Sequence, residues 1–198
     1  MAGLFFSYYN IEMRTLDFNT ISLFPTIVGS CVNIPLAKKV LPFAKEILNQ
    51  PQNLSEDFGY KNTFQTNIPK TLIYNELESF ILDVSKSFTY THGFYSKTSN
   101  VDLFFSHMVK GDFHPTHTHP LASLSGVFYL NVPENSSSIR FHDPRPYKDF
   151  TSYSLNERHL VYDIKPQAGL FLIWQSWVPH EVFKNYSNGR ITAVFNIL

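Results

Sequence analysis

Three of the eight histidines in the chain fall between positions 114 and 119, in the segment Gly111-Asp-Phe-His-Pro-Thr-His-Thr-His-Pro120. Imidazole is a leading ligand for transition metals, so such clustering asks for a chemical cause. In an extended segment side chains alternate between faces, which sends His117 and His119 to the same side. Two solvated histidines on a strand would look the same in sequence, so a third donor must be found. His180 is the candidate: it follows the apolar run Leu170-Phe-Leu-Ile-Trp174 and a turn, and opens a strand late in the chain. A rolled sheet can return such a strand beside the first pair. Three imidazoles, or two and a carboxylate, on one face of a metal leave adjacent positions open for a chelating co-substrate and dioxygen. Zinc accepts the same ligands, so the residues alone do not choose the metal.

An anionic co-substrate needs a cation. Arg190 stands ten positions after His180 and opens the run Arg-Ile-Thr-Ala-Val-Phe-Asn-Ile-Leu198. Arg190 and Thr192 share a strand face, where a guanidinium and a hydroxyl can reach one carboxylate. An arginine just after Asn188-Gly189 also fits a solvated turn flank. Geometry adds a condition. A two-residue hairpin at 188–189 would pair His180 with Ile197 and leave Arg190 roughly seven residues, or about 23 Å, away along the strand. The site therefore requires a wider corner at 184–189 that carries the chain from one sheet to another.

The elements that must position these residues fall into two textures. Residues 20–34 read as an opening strand, with Pro25 marking an edge. Helical periodicity follows over Leu36 to Asn49, with Val40, Leu41, Ala44, Ile47 and Leu48 on one face. It returns over Leu72 to Phe88, with Leu72, Leu77, Phe80, Ile81 and Val84. Residues 50–70 are polar and read as a long loop. From about residue 100 the pattern becomes short β-prone runs at 101–109, 124–132, 138–142, 159–163, 169–174, 179–184 and 190–197, which argues for a sandwich, jelly roll or barrel. The expected fold is mainly β with N-terminal helices, a double-stranded β-helix of jelly-roll, cupin-like form. Residues 1–198 read as one domain, with an N-terminal strand and helical buttress over 1–100 and the β-helix core over 101–198.

Composition narrows the function. Nineteen Phe and 11 Tyr favour ring-filled sheet faces. Sixteen basic side chains balance 16 acidic ones, which argues against nucleic acid or an anionic membrane as partner. Cys31 is the only cysteine, so no internal disulfide forms, and the thiol reads as core. The start Met1-Ala-Gly-Leu-Phe-Phe-Ser-Tyr-Tyr lacks the features of a signal peptide, and no apolar run approaches the ~20 residues of a membrane span. The expectation is a cytoplasmic protein acting on a small-molecule or peptide substrate.

Four ordered motifs then carry a resemblance: the histidine segment, Ser125-Gly-Val-Phe-Tyr-Leu130, Ile139-Arg-Phe-His-Asp-Pro-Arg145, and Trp177-Val-Pro-His180 with Arg190-Ile-Thr-Ala-Val-Phe-Asn196. Together with Leu23-Phe-Pro-Thr they resemble the "putative 2OG-Fe(II) oxygenase" group, related to prolyl 4-hydroxylases. The resemblance implies Fe(II) as metal and 2-oxoglutarate as co-substrate. It makes His117 and His180 iron ligands and Arg190 the partner of the distal 2-oxoglutarate carboxylate, with Thr192 and Tyr129 assisting. Where the wider superfamily has a carboxylate, position 119 is histidine. Either His119 completes a three-histidine site, the preferred reading, or Asp143 supplies the carboxylate. The implied activity is a dioxygenase that hydroxylates a substrate through a ferryl-oxo species. Phe104, Phe128, Phe141 and Trp174 are candidates for the pocket wall or plain core.

Two other classes fit parts of the pattern. A cupin-like metalloenzyme would use another metal without 2-oxoglutarate, but it lacks a Glu after His119 at the cupin spacing and gives Arg190-x-Thr192 no role. A metal-free jelly-roll binding module would leave His117, His119 and His180 scattered.

Overall fold

The computed structural model describes residues 25–55, 59–94, 100–145 and 160–198. The expected start of the first strand at 20–24, and His159, lie outside these residues.

Strand β1 (Val28–Val32) is followed at once by helix α1 (Ile34–Leu48). Asn33 caps α1 by accepting the Leu36 amide at 3.1 Å, satisfying one of the donors that a helix start leaves free. Helix α2 (Leu72–His92) is capped by Thr71 and ends on Gly93 at φ 68°, a left-handed turn that glycine takes without a Cβ penalty. The helices bury Leu36, Ala37, Val40, Ala44, Ile47 and Leu48, and Leu77, Ile81 and Phe88. Leu72 departs from the expected apolar face: it opens α2 on the solvent side and is 89% exposed.

Among the described residues, ten strands form two antiparallel sheets. The larger runs β1–β8–β5–β10–β3–β2 and the smaller β4–β9–β6–β7. Their spans are β2 (Lys61–Asn62), β3 (Val101–Met108), β4 (His114–His117), β5 (Leu124–Asn131), β6 (Ile139–His142), β7 (Val161–Ile164), β8 (Leu170–Gln175), β9 (His180–Val182) and β10 (Arg190–Ile197). This is mainly β with two N-terminal helices, as the short apolar runs predicted. β1 lies at the sheet edge, where Pro25 placed it. The short β2 and β4 fall in stretches where no strand was assigned.

The two faces of the larger sheet have different partners. Phe105, Phe128, Phe171, Ile191, Ala193 and Phe195 join the helices in one buried cluster, while Val127, Tyr129, Leu172 and Trp174 face Ile139 and Phe141 of the smaller sheet in another. A strand covered on both faces reads as an unbroken apolar run, and β5 is buried along all but its last residue. Cys31 is half-buried against the helix-side cluster, and its thiol is pushed up by burial.

The corner required between His180 and Arg190 exists. β9 belongs to the smaller sheet and β10 to the larger, so the chain changes sheets between them. Asn185, fully buried, pins the crossing. Its amide donates to the Asp112 carbonyl at 2.7 Å and its carbonyl accepts from Gly111 N–H at 2.8 Å. Its side chain donates to the Ser187 carbonyl at 2.8 Å and accepts from the Ser137 amide at 3.2 Å.

Candidate metal centre

The histidine segment forms β4 and pairs antiparallel with β9, with His117 directly opposite His180 and His114 opposite Val182. Four residues on β4 therefore stand opposite three on β9, a bulge that resets the alternation of faces. As a result the His114 and His117 rings lie on one side, centroids 4.0 Å apart, although three positions separate them. β4 stops at His117, and His119 is placed by a different device: its amide donates to the Ser176 carbonyl at 3.0 Å. Its ring stacks on His180 at 5.1 Å and 5°.

His117, His119 and His180 bring one nitrogen each to within 4.8 Å of one another. His180 Nδ1 lies 2.9 Å from the Val178 carbonyl and His117 Nδ1 lies 2.8 Å from the Pro115 carbonyl. A carbonyl only accepts, so each Nδ1 carries the proton and each Nε2 presents a lone pair inward. Electrostatics agree. Burial, with the neighbouring imidazoles, pushes His180 down to about 2 and His119 down to about 4. Burial also lowers His117, against the pull of the Pro115 carbonyl. Metals bind neutral imidazole, so a site that resists protonation is prepared for a cation.

The cluster opens on a cavity of about 450 Å³ between the sheets. Deep in it, Arg190 of β10 is 3% exposed. One guanidinium nitrogen donates to Met108 Sδ at 2.9 Å, and the group lies 5.3 Å from the Tyr129 ring. Among the described residues, Arg190 Nε and Tyr129 Oη have no hydrogen-bond partner. Burial raises the Tyr129 phenol, with Arg190 opposing, so it stays a neutral donor. Thr192 completes this end, its hydroxyl 2.7 Å from Ser106 Oγ. A buried guanidinium Nε and phenol hydroxyl without partners are costly unless an acceptor joins them. The residues thus fit both a divalent metal and a carboxylate-bearing co-substrate.

All of His117, His119, His180, Arg190, Thr192 and Tyr129 line this one cavity, and so does Trp174 with Phe104. Phe128 does not: it sits one position out of phase with Tyr129 and faces the helices. Phe141 is buried against Trp174 at 5.0 Å, edge to face. Asp143 is not brought to the triad. Its carboxylate takes a two-pronged contact from Arg145 at 2.9 and 2.7 Å. His142 pairs with Glu181 across the smaller sheet at 3.0 Å.

Several lining residues were missed in sequence. Tyr60 reaches in from the loop before β2, its hydroxyl 2.8 Å from His114 Nδ1. Burial pushes Tyr60 above its ordinary range and His114 down to about 3. Asp102, Ser106 and Met108 share the Phe104 face of β3; the period-two rule would have found them once that face was known.

Comparison with known proteins gives the arrangement a context. In solved structures the chain is similar to a Pseudomonas putida prolyl-4-hydroxylase, 14% identical over 87% of each chain with a TM-score of 0.61. It is similar to a Trichoplax adhaerens prolyl hydroxylase solved with a hypoxia inducible factor peptide fragment, 14% identical over 86% of this chain and 83% of that one, TM-score 0.60. It also resembles the α-ketoglutarate-dependent epimerase SnoN of nogalamycin biosynthesis, 11% identical over 87% and 76%, TM-score 0.63. At such identities the likeness is one of fold, the double-stranded β-helix. No curated protein matches the chain in sequence. Residues 103–196, which carry all three histidines of the cluster and Arg190, match the family described as "Putative 2OG-Fe(II) oxygenase", so the C-terminal half of the chain, which holds the candidate metal centre, is similar to that family.

Proposed function

We propose that the chain is a 2-oxoglutarate-dependent dioxygenase that hydroxylates a small-molecule or peptide substrate, residues 1–198 acting as one domain. His117, His119 and His180 hold Fe(II), and Arg190, Tyr129 and Thr192 hold the distal carboxylate of 2-oxoglutarate. The observation that carries the reading is the meeting, in one cavity, of three neutral imidazoles with a buried, incompletely paired Arg190 and Tyr129. The iron, when bound, supplies dioxygen activation coupled to decarboxylation of 2-oxoglutarate to succinate, and so the oxidation of a substrate C–H bond.

The chain's own residues do the remaining work. The Val178 and Pro115 carbonyls fix the His180 and His117 tautomers and their orientation. Arg190 offers a directional contact to a carboxylate and Tyr129 a second donor, both buried where such contacts are strong. Phe104, Val127, Trp174 and Val194 wall the cavity, excluding water from a reactive centre. A second function class, the metal-free binding module, requires scattered histidines, and these converge.

The test is anaerobic titration of the metal-free protein with Fe(II) and then 2-oxoglutarate, following the weak visible charge-transfer band of the chelate. The expected result is a band in the wild type, none in His180→Ala, and a demand for about thirtyfold or more 2-oxoglutarate in Arg190→Ala, the scale of removing one partner of a buried charge pair. Iron binding without any band favours the cupin-like alternative; no metal binding at all sinks both.

A further inference from the structure

The faces of β3 and β10 that line the cavity form a ladder of four rungs: Arg190 opposite Met108, Thr192 opposite Ser106, Val194 opposite Phe104, and Asn196 opposite Asp102. Six residues separate the first rung from the last, about 20 Å along a strand. The first two rungs make up the anion-holding end. The third is apolar. The last is acidic: among the described residues lining the cavity, Asp102 is the one acidic side chain, as Arg190 is the one guanidinium.

The acidic end is built rather than incidental. Asn196 is buried, and its Oδ1 accepts from Ser125 Oγ at 2.8 Å, which in turn lies 2.7 Å from Ser176 Oγ. With its oxygen so occupied, Asn196 must turn its amide toward Asp102, where Nδ2 meets Oδ2 at 3.3 Å. Among the described residues the Asp102 side chain has this one hydrogen bond, on Oδ2, which leaves Oδ1 for another donor. The chain of contacts continues to the metal centre, because the Ser176 carbonyl is the group that fixes the His119 amide. Leu121, at the cavity rim, is 96% exposed in a left-handed backbone conformation, φ 74°. An apolar side chain held in water on strained backbone suits contact with something that enters.

We propose that Asp102, oriented by Asn196, selects substrates that carry a protonated amine beside an apolar segment. The inference rests on the oxygenase reading in taking the cavity as a substrate site. The carboxylate receives the ammonium, the Val194–Phe104 rung and Leu121 cover the apolar segment, and the amine end is anchored on the side of the cavity that communicates with His119. Arg190, at the far end, repels the same group and keeps the co-substrate end free of it.

The test needs neither iron nor 2-oxoglutarate. In a Trp177→Phe background, Trp174 fluorescence in the cavity reports binding of cyclohexylmethylamine and of its neutral counterpart cyclohexylmethanol to the metal-free protein. The amine is expected to bind roughly tenfold or more tightly, the size of one charge-assisted hydrogen bond, and Asp102→Asn and Asp102→Ser are expected to abolish the difference. Equal binding of the two probes, no binding of the amine, or a preference that survives in both variants overturns the proposal. The charge-transfer band, measured separately, is expected to persist in both Asp102 variants. It also shows that they fold, and its absence from the wild type would count against the oxygenase reading alone.

Discussion

His119 and His180 turn their Nε2 atoms toward each other at 3.2 Å across 61 positions of sequence. His180 already commits its Nδ1 proton to the Val178 carbonyl, so its Nε2 can only accept. Without metal, His119 must therefore carry its proton on Nε2 and donate it. With metal, both lone pairs must point at the ion, and the His119 proton must move to Nδ1. Long-range 15N NMR of the metal-free protein is expected to show His119 as the Nε2–H tautomer and His180 as Nδ1–H. Addition of Zn(II), a diamagnetic probe, is expected to convert His119 alone. A metal-free His119 already protonated on Nδ1 would contradict this account.

The choice between His119 and Asp143 as third ligand yields a paired experiment. His119→Ala is expected to weaken metal binding by on the order of a hundredfold or more, beyond the 10–100-fold that follows loss of a supporting partner. Asp143→Asn is expected to leave it unchanged, because that carboxylate is engaged by Arg145. Calorimetric titration with Fe(II) under nitrogen distinguishes the two.

Acid should act on the metal-free protein through its histidines. In the folded state burial lowers His180, His119, His114 and His117 from their ordinary value of 6.5. The unfolded chain takes up protons near 6.5 while the folded chain refuses them, so the unfolded state gains as pH falls. Stability is expected to be full above 6.5 and to decline progressively toward the region of 4 to 2. Urea midpoints measured in chelator across this range should fall, and less steeply in His180→Ala. A flat profile from pH 7 to 5 would show that the imidazoles are not held neutral by burial.

Gly126 sits where β5 runs closest to its neighbours. A Cβ there would press on the Phe195 ring and the Leu172 carbonyl, the second of which is backbone and cannot turn aside. Gly126→Ala is expected to destabilise by about 3 kcal/mol, the upper range for overpacking, read as a lower urea midpoint with unchanged slope.

Much of this molecule was legible in its sequence, for uneven reasons. The strands from 101 onward follow apolar runs bounded by turn residues, and the structure differs from them mostly by a residue or two at the ends. The meeting of His117, His119 and His180 was anticipated, but the mechanism behind it was not. Period two placed 117 and 119 together, whereas the chain uses a bulge to set His117 and a Ser176 carbonyl to set His119. A bulge leaves no compositional mark, and here it turns the His114 ring onto the side of His117. Tyr60 arrives from a loop 54 positions away from its partner, and no local pattern encodes such a contact. Phe128 was left between pocket wall and plain core for want of the face assignment of β5, and the structure makes it core. Aromatics of one strand look alike until their neighbours are known.

The crossing pinned by Asn185 puts the distal histidine and the buried arginine on different sheets. The span between their backbones is consequently set by the gap between two layers, about 10 Å for stacked sheets. Under the proposed function, that makes the corner a ruler for dicarboxylic acids. Chelation at one end and a carboxylate clasp at the other measure the length of the molecule between them, so a homologue one methylene longer or shorter than 2-oxoglutarate must give up one of its two holds.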